Sequence, residues 1–197
     1  DPAVLDSVDQ GLSLPATVLA LGMGQISPFM LLGLCGFLHF ISTERWISAG
    51  LAASLTLVKP HWVSLFWFAV ILWSVRERRH GVLLGAAAAL VSATGVSLII
   101  NPAVIGQYLE AVTGDPPMYF VGPSAGVLFR LLLGWERTWL QFLPMLLGAV
   151  WVTWYWIRRR DSWDWDFQIS LIILGSTLVA AYGWPFDHVV SLIPLVW

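Results

Sequence analysis

GVLLGAAAALVSATGVSLII, residues 81–100, is an unbroken apolar run with RERRH before it and NP after it. As helix, about 20 residues at 1.5 Å each match the roughly 30 Å hydrocarbon core of a bilayer. A second run of that length, TWLQFLPMLLGAVWVTWYWI, covers 138–157 and ends in three arginines. The whole chain agrees with these two stretches: 197 residues are 58% hydrophobic and 11% charged, with a mean hydropathy of +0.77. Soluble domains average about 45–50% apolar and 25% charged residues, so a membrane protein is expected. The fold class that follows is all-α, a single transmembrane bundle over 1–197. Apolar helical segments lie at about 12–22, 26–41, 46–58, 62–75, 81–100, 138–157 and 167–182, and another starts at 189–197. The small-residue stretch GAAAALVSATG, 85–95, suits close helix packing.

Charge sets the expected orientation. The net charge is −2, but the arginines cluster at 76–79 and 158–160 between apolar segments. Basic residues near span ends stay on the cytoplasmic side, which puts 101–137 outside as an extracytoplasmic loop. This clustering gives no nucleic-acid footprint. The lone cysteine, Cys35, offers neither a disulfide framework nor a metal set and reads as a small packing residue. The chain opens DPAVLD and stops at SLIPLVW inside an apolar segment, so it reads as an internal piece of a longer protein.

The run 46–75 as one helix would be about 45 Å long, beyond what the usual tilt accommodates. Within it, TLVKPHW, 56–62, holds the only lysine of the chain beside a proline. Proline removes a backbone donor and disfavours helix at the residue before it, so two short helices meeting at Lys59-Pro60 are expected. Lys59 then lies on the outer face. Alternation from there brings Gln25, His61, the loop 101–137, Asp187 and His188 to that face as well.

Each of these residues has a bland reading beside the chemical one. Lys59 is either a snorkelling interface lysine or an ammonium that meets an anion such as phosphate. GMGQISP, 22–28, is either a helix-start turn capped by Gln25 or a backbone-rich approach to a ligand. In WPFDHVV, 184–190, Asp187 is a helix cap, a proton acceptor or a partner for sugar hydroxyls, and His188 a proton carrier or phosphate partner. Arg130, in the amphipathic stretch PSAGVLFRLLLG, 123–134, defies the inside bias and is either a second phosphate partner or a snorkelling arginine. His61 and Trp62 fit the same pocket or an interfacial belt, and His39 is a helix-packing histidine by default. Asp164-Trp165-Asp166 mimics a metal-binding DxD but sits at a span start on the inner side, where a helix cap explains it, so no metal is expected there.

Taken in order, GQISPFMLLGL, ERWISAGLAASLTLVKPHW with RERR closing the next helix, PSAGVLFRLLLG and YGWPFDHVVSLIPL resemble the polytopic glycosyltransferase family 87 of the C-type superfamily. The pairing of GQ with an in-membrane KP carries most of that resemblance. It implies a cell-membrane, multi-pass enzyme with its active site facing outside. The reaction implied is inverting transfer of a hexose, usually mannose, from a polyprenyl-phosphate donor to a lipid or glycan acceptor, without a cofactor. Donor phosphate capture then falls to Lys59 with Arg130 or His188, while Gln25, His61 and Asp187 face the cavity. The family's catalytic aspartate lies in a first outer loop, upstream of this stretch. Asp187 matches a later YxWxYD-like element, with Phe186 in place of tyrosine, and is assigned to cavity binding. Gly122-Pro123-Ser124 stands where relatives often carry an Asn-Gln-Ser type sequence, so acceptor contacts are not carried over. The rival class is a transporter or flippase whose path Lys59, Gln25 and Asp187 would line; it predicts midplane polar groups and repeated halves, where this chain has one polar face and no internal repeat.

Overall fold

The computed structural model describes residues 22–114 and 124–196. Proline and glycine punctuate it. Helix α1, Ser27–Ser42, starts with Pro28 in its first turn, where a missing N–H costs nothing. Helix α2, Trp46–Ala53, runs into a 3-10 turn, Ser54–Val58. Lys59 breaks the helix with extended backbone (φ −137°, ψ 71°), and a second 3-10 turn, Pro60–Val63, leads into α3, Ser64–Arg76. The expected interruption at Lys59-Pro60 is therefore present. Helix α4, His80–Ile100, is followed by α5, Val104–Gly114, and then by α6, Ala125–Leu133. A 3-10 turn, Thr138–Gln141, introduces α7, Leu143–Arg159. Helix α8 spans Trp165–Val179, the turn Pro185–Ser191 follows, and α9 is Leu192–Val196.

The described residues fold as helices joined by turns, with no strand among them. Two helical stretches are long and apolar enough to cross a membrane alone, His80–Ile100 and Thr138–Ser162. The other expected segments are shorter, with α1 at 16 residues and α8 at 15. Among the described residues the expected apolar segments are therefore helical, but only His80–Ile100 and Thr138–Ser162 are of spanning length. Most of the segment 12–22, and the motif residues 115–117 and 122–123, lie outside the described residues.

Two glycines set the α2–α4 crossing. A Cβ on Gly50 would lie 1.9 Å from the carbonyl oxygen of Val82, and one on Gly85 would lie 2.2 Å from that of Ile47. Backbone meets backbone there, the geometry that small residues allow between apolar helices. Ala86 is buried at the same crossing, but beyond it the stretch is open: Gly95 has nothing within 4 Å, and Val91 is 72% exposed. Cys35 and His39 are likewise exposed on α1 rather than packed.

An aromatic cluster joins α1, α3 and α8. Phe37 meets Phe66 and Trp165 edge-on, each with ring centroids 5.0 Å apart, and Trp73 meets Trp165 at 5.6 Å. Edge-to-face geometry adds quadrupole attraction to the buried area. Beyond the cluster lies the basic end, where Arg76 Nη2 donates to Asp161 Oδ1 at 2.6 Å and Arg79 stacks on Trp46. Both arginine clusters therefore reach the same end of the bundle. Lys59 lies just before the start of α3, whose 13 residues end at Arg76, so about 20 Å of helix separates it from that end.

Enlarging either crossing glycine must push α2 and α4 apart. Gly85→Val is expected to cost about 1–3 kcal/mol, read as a lowered unfolding midpoint in detergent, while Gly95→Val leaves the midpoint close to that of the parent. Equal effects at the two positions would contradict the crossing.

Candidate functional site

Opposite the arginine clusters, three separate parts of the chain meet around one carboxylate. Asp187 sits in the turn after α8 and is 1% exposed. Lys59 Nζ lies 2.5 Å from its Oδ1, Ser27 Oγ donates to the same oxygen at 2.6 Å, and Lys59 Nζ also reaches Ser27 Oγ at 3.4 Å. The other oxygen, Oδ2, accepts the backbone N–H of Trp184 at 3.2 Å. Of the roles the sequence offers Asp187, the helix cap is present, with Oδ2 closing the first turn of Pro185–Ser191, while the pairing of Oδ1 with Lys59 is one the sequence did not suggest. A carboxylate so buried requires such partners, because removing an isolated charge from water is costly.

The fold presents this group through close backbone approaches. Trp62 is 2% exposed and packs on Gly183, where any Cβ would fall 2.0 Å from the indole. The indole also meets the His188 ring edge-on, with centroids 5.0 Å apart. On the other side Gly24 adopts φ +61°, a left-handed conformation that glycine accepts freely. Helix α1 begins right after it, with Ile26 rather than Gln25 at the cap position and no side-chain cap bond. Gln25 is thereby released from the capping role considered for it.

A cavity of about 430 Å³ opens here, lined by Met23, Gln25, Lys59, His61, Tyr182, Trp184 and Asp187. His61 stacks on Tyr182 at 4.0 Å between ring centroids. Burial pushes the His61 imidazole down to about 4, against the pull of Asp187 and with the help of Lys59. It is neutral at physiological pH and acts as a hydrogen-bonding group rather than a charge. Burial raises the Tyr182 phenol, with Tyr108 and Asp187 adding to the effect.

Gln25, Lys59, His61 and Asp187 are therefore brought together as the sequence suggested. Arg130 and His188 are not among the lining residues. Arg130 is 1% exposed; its Nη1 donates to Gln141 Oε1 at 2.6 Å, its Nε and Nη2 donate to the Trp135 carbonyl, and it lies over the Trp135 ring. It closes the α6 corner, while Leu128, Leu131 and Leu132 turn outward. Ser124 caps α6 by accepting from Val127 N–H and also donates to the Ala181 carbonyl, tying that corner to the cavity rim. Asp164 caps α8 by accepting from Asp166 N–H at 3.0 Å, the cap expected of the DWD motif. Sequence reasoning missed Ser27, which sits two residues beyond Gln25, and the cavity role of Tyr182 and Trp184. The signal for all three lay within GMGQISP and YGWPFDH, motifs read for other residues.

A family model described as Glycosyltransferase family 87 matches residues 8–181. No curated protein and no solved structure matches the chain.

Removing one member of the pair leaves its partner uncompensated. Lys59 keeps 18% of its side chain exposed and Asp187 only 2%, so Asp187→Asn is expected to cost about 3 kcal/mol, the lower end for a broken buried pair. The double variant K59M/D187L should regain most of that stability in detergent unfolding. A double variant as unstable as the sum of the singles would show that the two are not coupled.

Proposed function

The chain belongs to glycosyltransferase family 87, a family of membrane glycosyltransferases, and from that premise we propose that it transfers a hexose, most simply mannose, from a polyprenyl-phosphate donor. The acceptor is a lipid-borne or glycan hydroxyl, and transfer takes place at the extracytoplasmic face with inversion at the anomeric carbon. The observation that carries the reading is the placement of the only lysine, at a helix break and on a cavity wall with Gln25, His61 and Trp184. A compact ammonium suits a phosphate oxygen, and its charge matters most as the glycosidic bond breaks and negative charge grows on the leaving phosphate. Asp187 and Ser27 fix the position of that ammonium before substrate arrives.

In the step itself the acceptor oxygen forms its bond to the anomeric carbon as the bond to the phosphate oxygen breaks. The acceptor proton passes to a general base, and the polyprenyl phosphate leaves with the bonding electrons. Asp187 is assigned to holding Lys59 rather than to taking that proton, because both of its oxygens already accept hydrogen bonds. Neutral His61 and the amide of Gln25 supply donors and acceptors for sugar hydroxyls.

Two further features support a lipid-linked donor and the outward orientation. An apolar cleft of about 460 Å³ begins beside the lysine at Leu57 and Pro60 and continues along Trp67, Phe68 and Ile71, a lining suited to isoprene units. The arginine clusters occupy the end of the bundle away from the cavity, joined by Arg76 and Asp161, and such clusters favour the cytoplasmic side.

Membranes containing the full-length protein should transfer labelled mannose from polyprenyl-phosphate-mannose to endogenous acceptor. Lys59→Ala should lower that rate about a hundredfold or more at unchanged membrane insertion. Transfer by the parent that the mutation leaves intact would remove the lysine from the mechanism, and transfer from no polyprenyl-phosphate sugar would overturn the donor assignment.

A further inference from the structure

Helix α5 has an apolar side that no described part of the protein covers. Val104, Ile105, Tyr108, Leu109 and Val112 fall on one side of it, while Gly106, Gln107, Glu110 and Thr113 fall on the other. That spacing is the signature of an amphipathic helix. Yet no residue of α5 is buried: Ile105 is 50% exposed, Tyr108 67% and Leu109 57%.

Connectivity says what meets this side. Helix α4 is long and apolar enough to cross a bilayer, and its last residues, Ile99 and Ile100, are 84% and 79% exposed. The exposed apolar residues of α5 follow that exposed end after a corner at Asn101. The corner is a built structure: Asn101 Oδ1 accepts the N–H of Ala103 at 3.1 Å, and Asn101 Nδ2 donates to Gln107 Oε1 at 2.8 Å. The chain is thus held where a 21-residue span ends, at the depth of the headgroups.

We propose that α5 is a bilayer-surface anchor, with Ile105, Tyr108, Leu109 and Val112 seated at the boundary of headgroups and acyl chains and Glu110 and Thr113 facing water. Its one charged residue is Glu110, so seating rests on apolar area and needs no anionic lipid, in contrast to basic interfacial helices. Resting on the function proposed above, the anchor holds this end of the bundle at the membrane surface, where a substrate carried on a lipid arrives.

The test places single cysteines in the full-length protein, on a background with Cys35 and any other cysteine changed to serine, and labels each with a nitroxide. Ile105→Cys, Leu109→Cys and Val112→Cys sample the apolar side; Gly106→Cys, Glu110→Cys and Thr113→Cys sample the other. All six positions are exposed, so labelling leaves packing intact. In phosphatidylcholine vesicles the ratio of oxygen to nickel-chelate collisions should be several-fold higher on the apolar side, with helical periodicity, and phosphatidylglycerol should not change it. Chelate-dominated collisions at all six positions would place α5 in water and overturn the proposal. Low collisions with both reagents on the apolar side would reveal a protein cover, a second copy or another segment, and would overturn it equally. A pattern that appears only with phosphatidylglycerol would refute apolar seating. Because these outcomes are read without substrate, they stand apart from any failure of the sugar-transfer assignment.

Discussion

One carboxylate organises the cavity end of the bundle. Asp187 stands far from Ser27 and Lys59 in the chain, yet both converge on its Oδ1 while Trp184 N–H holds Oδ2. The start of α1, the break between α2 and α3 and the turn after α8 are thereby fixed to one point. A purely apolar junction of the same parts would pack as well, because replacing a buried ion pair with hydrophobic groups is often neutral for stability. What the pair provides is a directed charge on a cavity wall.

The remainder of the fold holds that point at a defined distance from the basic end. Gly50 and Gly85 let α2 and α4 cross backbone to backbone, and the edge-to-face aromatics around Trp165 lock α1, α3 and α8 together below the cavity. Trp62 on Gly183 completes the wall. Each contact uses shape rather than hydrogen bonding, as expected where water is scarce and apolar side chains have no preference between lipid and protein.

Much of this was legible in the sequence for a physical reason. Proline beside lysine inside an apolar run forces a helix break, and parity counted from the arginine clusters brings Gln25, Lys59, His61 and Asp187 to one end; the observed cavity contains all four. The partner of Lys59 was not legible, because an ion pair between residues 128 positions apart leaves no local pattern. Arg130 illustrates the same limit. The sequence gives its charge, but its folding back onto the Trp135 carbonyl and Gln141 depends on a corner that periodicity does not describe. The small-residue stretch 85–95 gave a packing signal along its whole length, whereas burial is confined to its start, where Ile47 and Gly50 press on it.

The most direct test of the central claim is a density map of the full-length protein in lipid with polyprenyl-phosphate-mannose bound. The account predicts a phosphate oxygen within about 3 Å of Lys59 Nζ, the sugar beside His61 and Gln25, and Asp187 still joined to Ser27. A donor bound with its phosphate held elsewhere, and the Lys59–Asp187 pair facing an empty cavity, would contradict it.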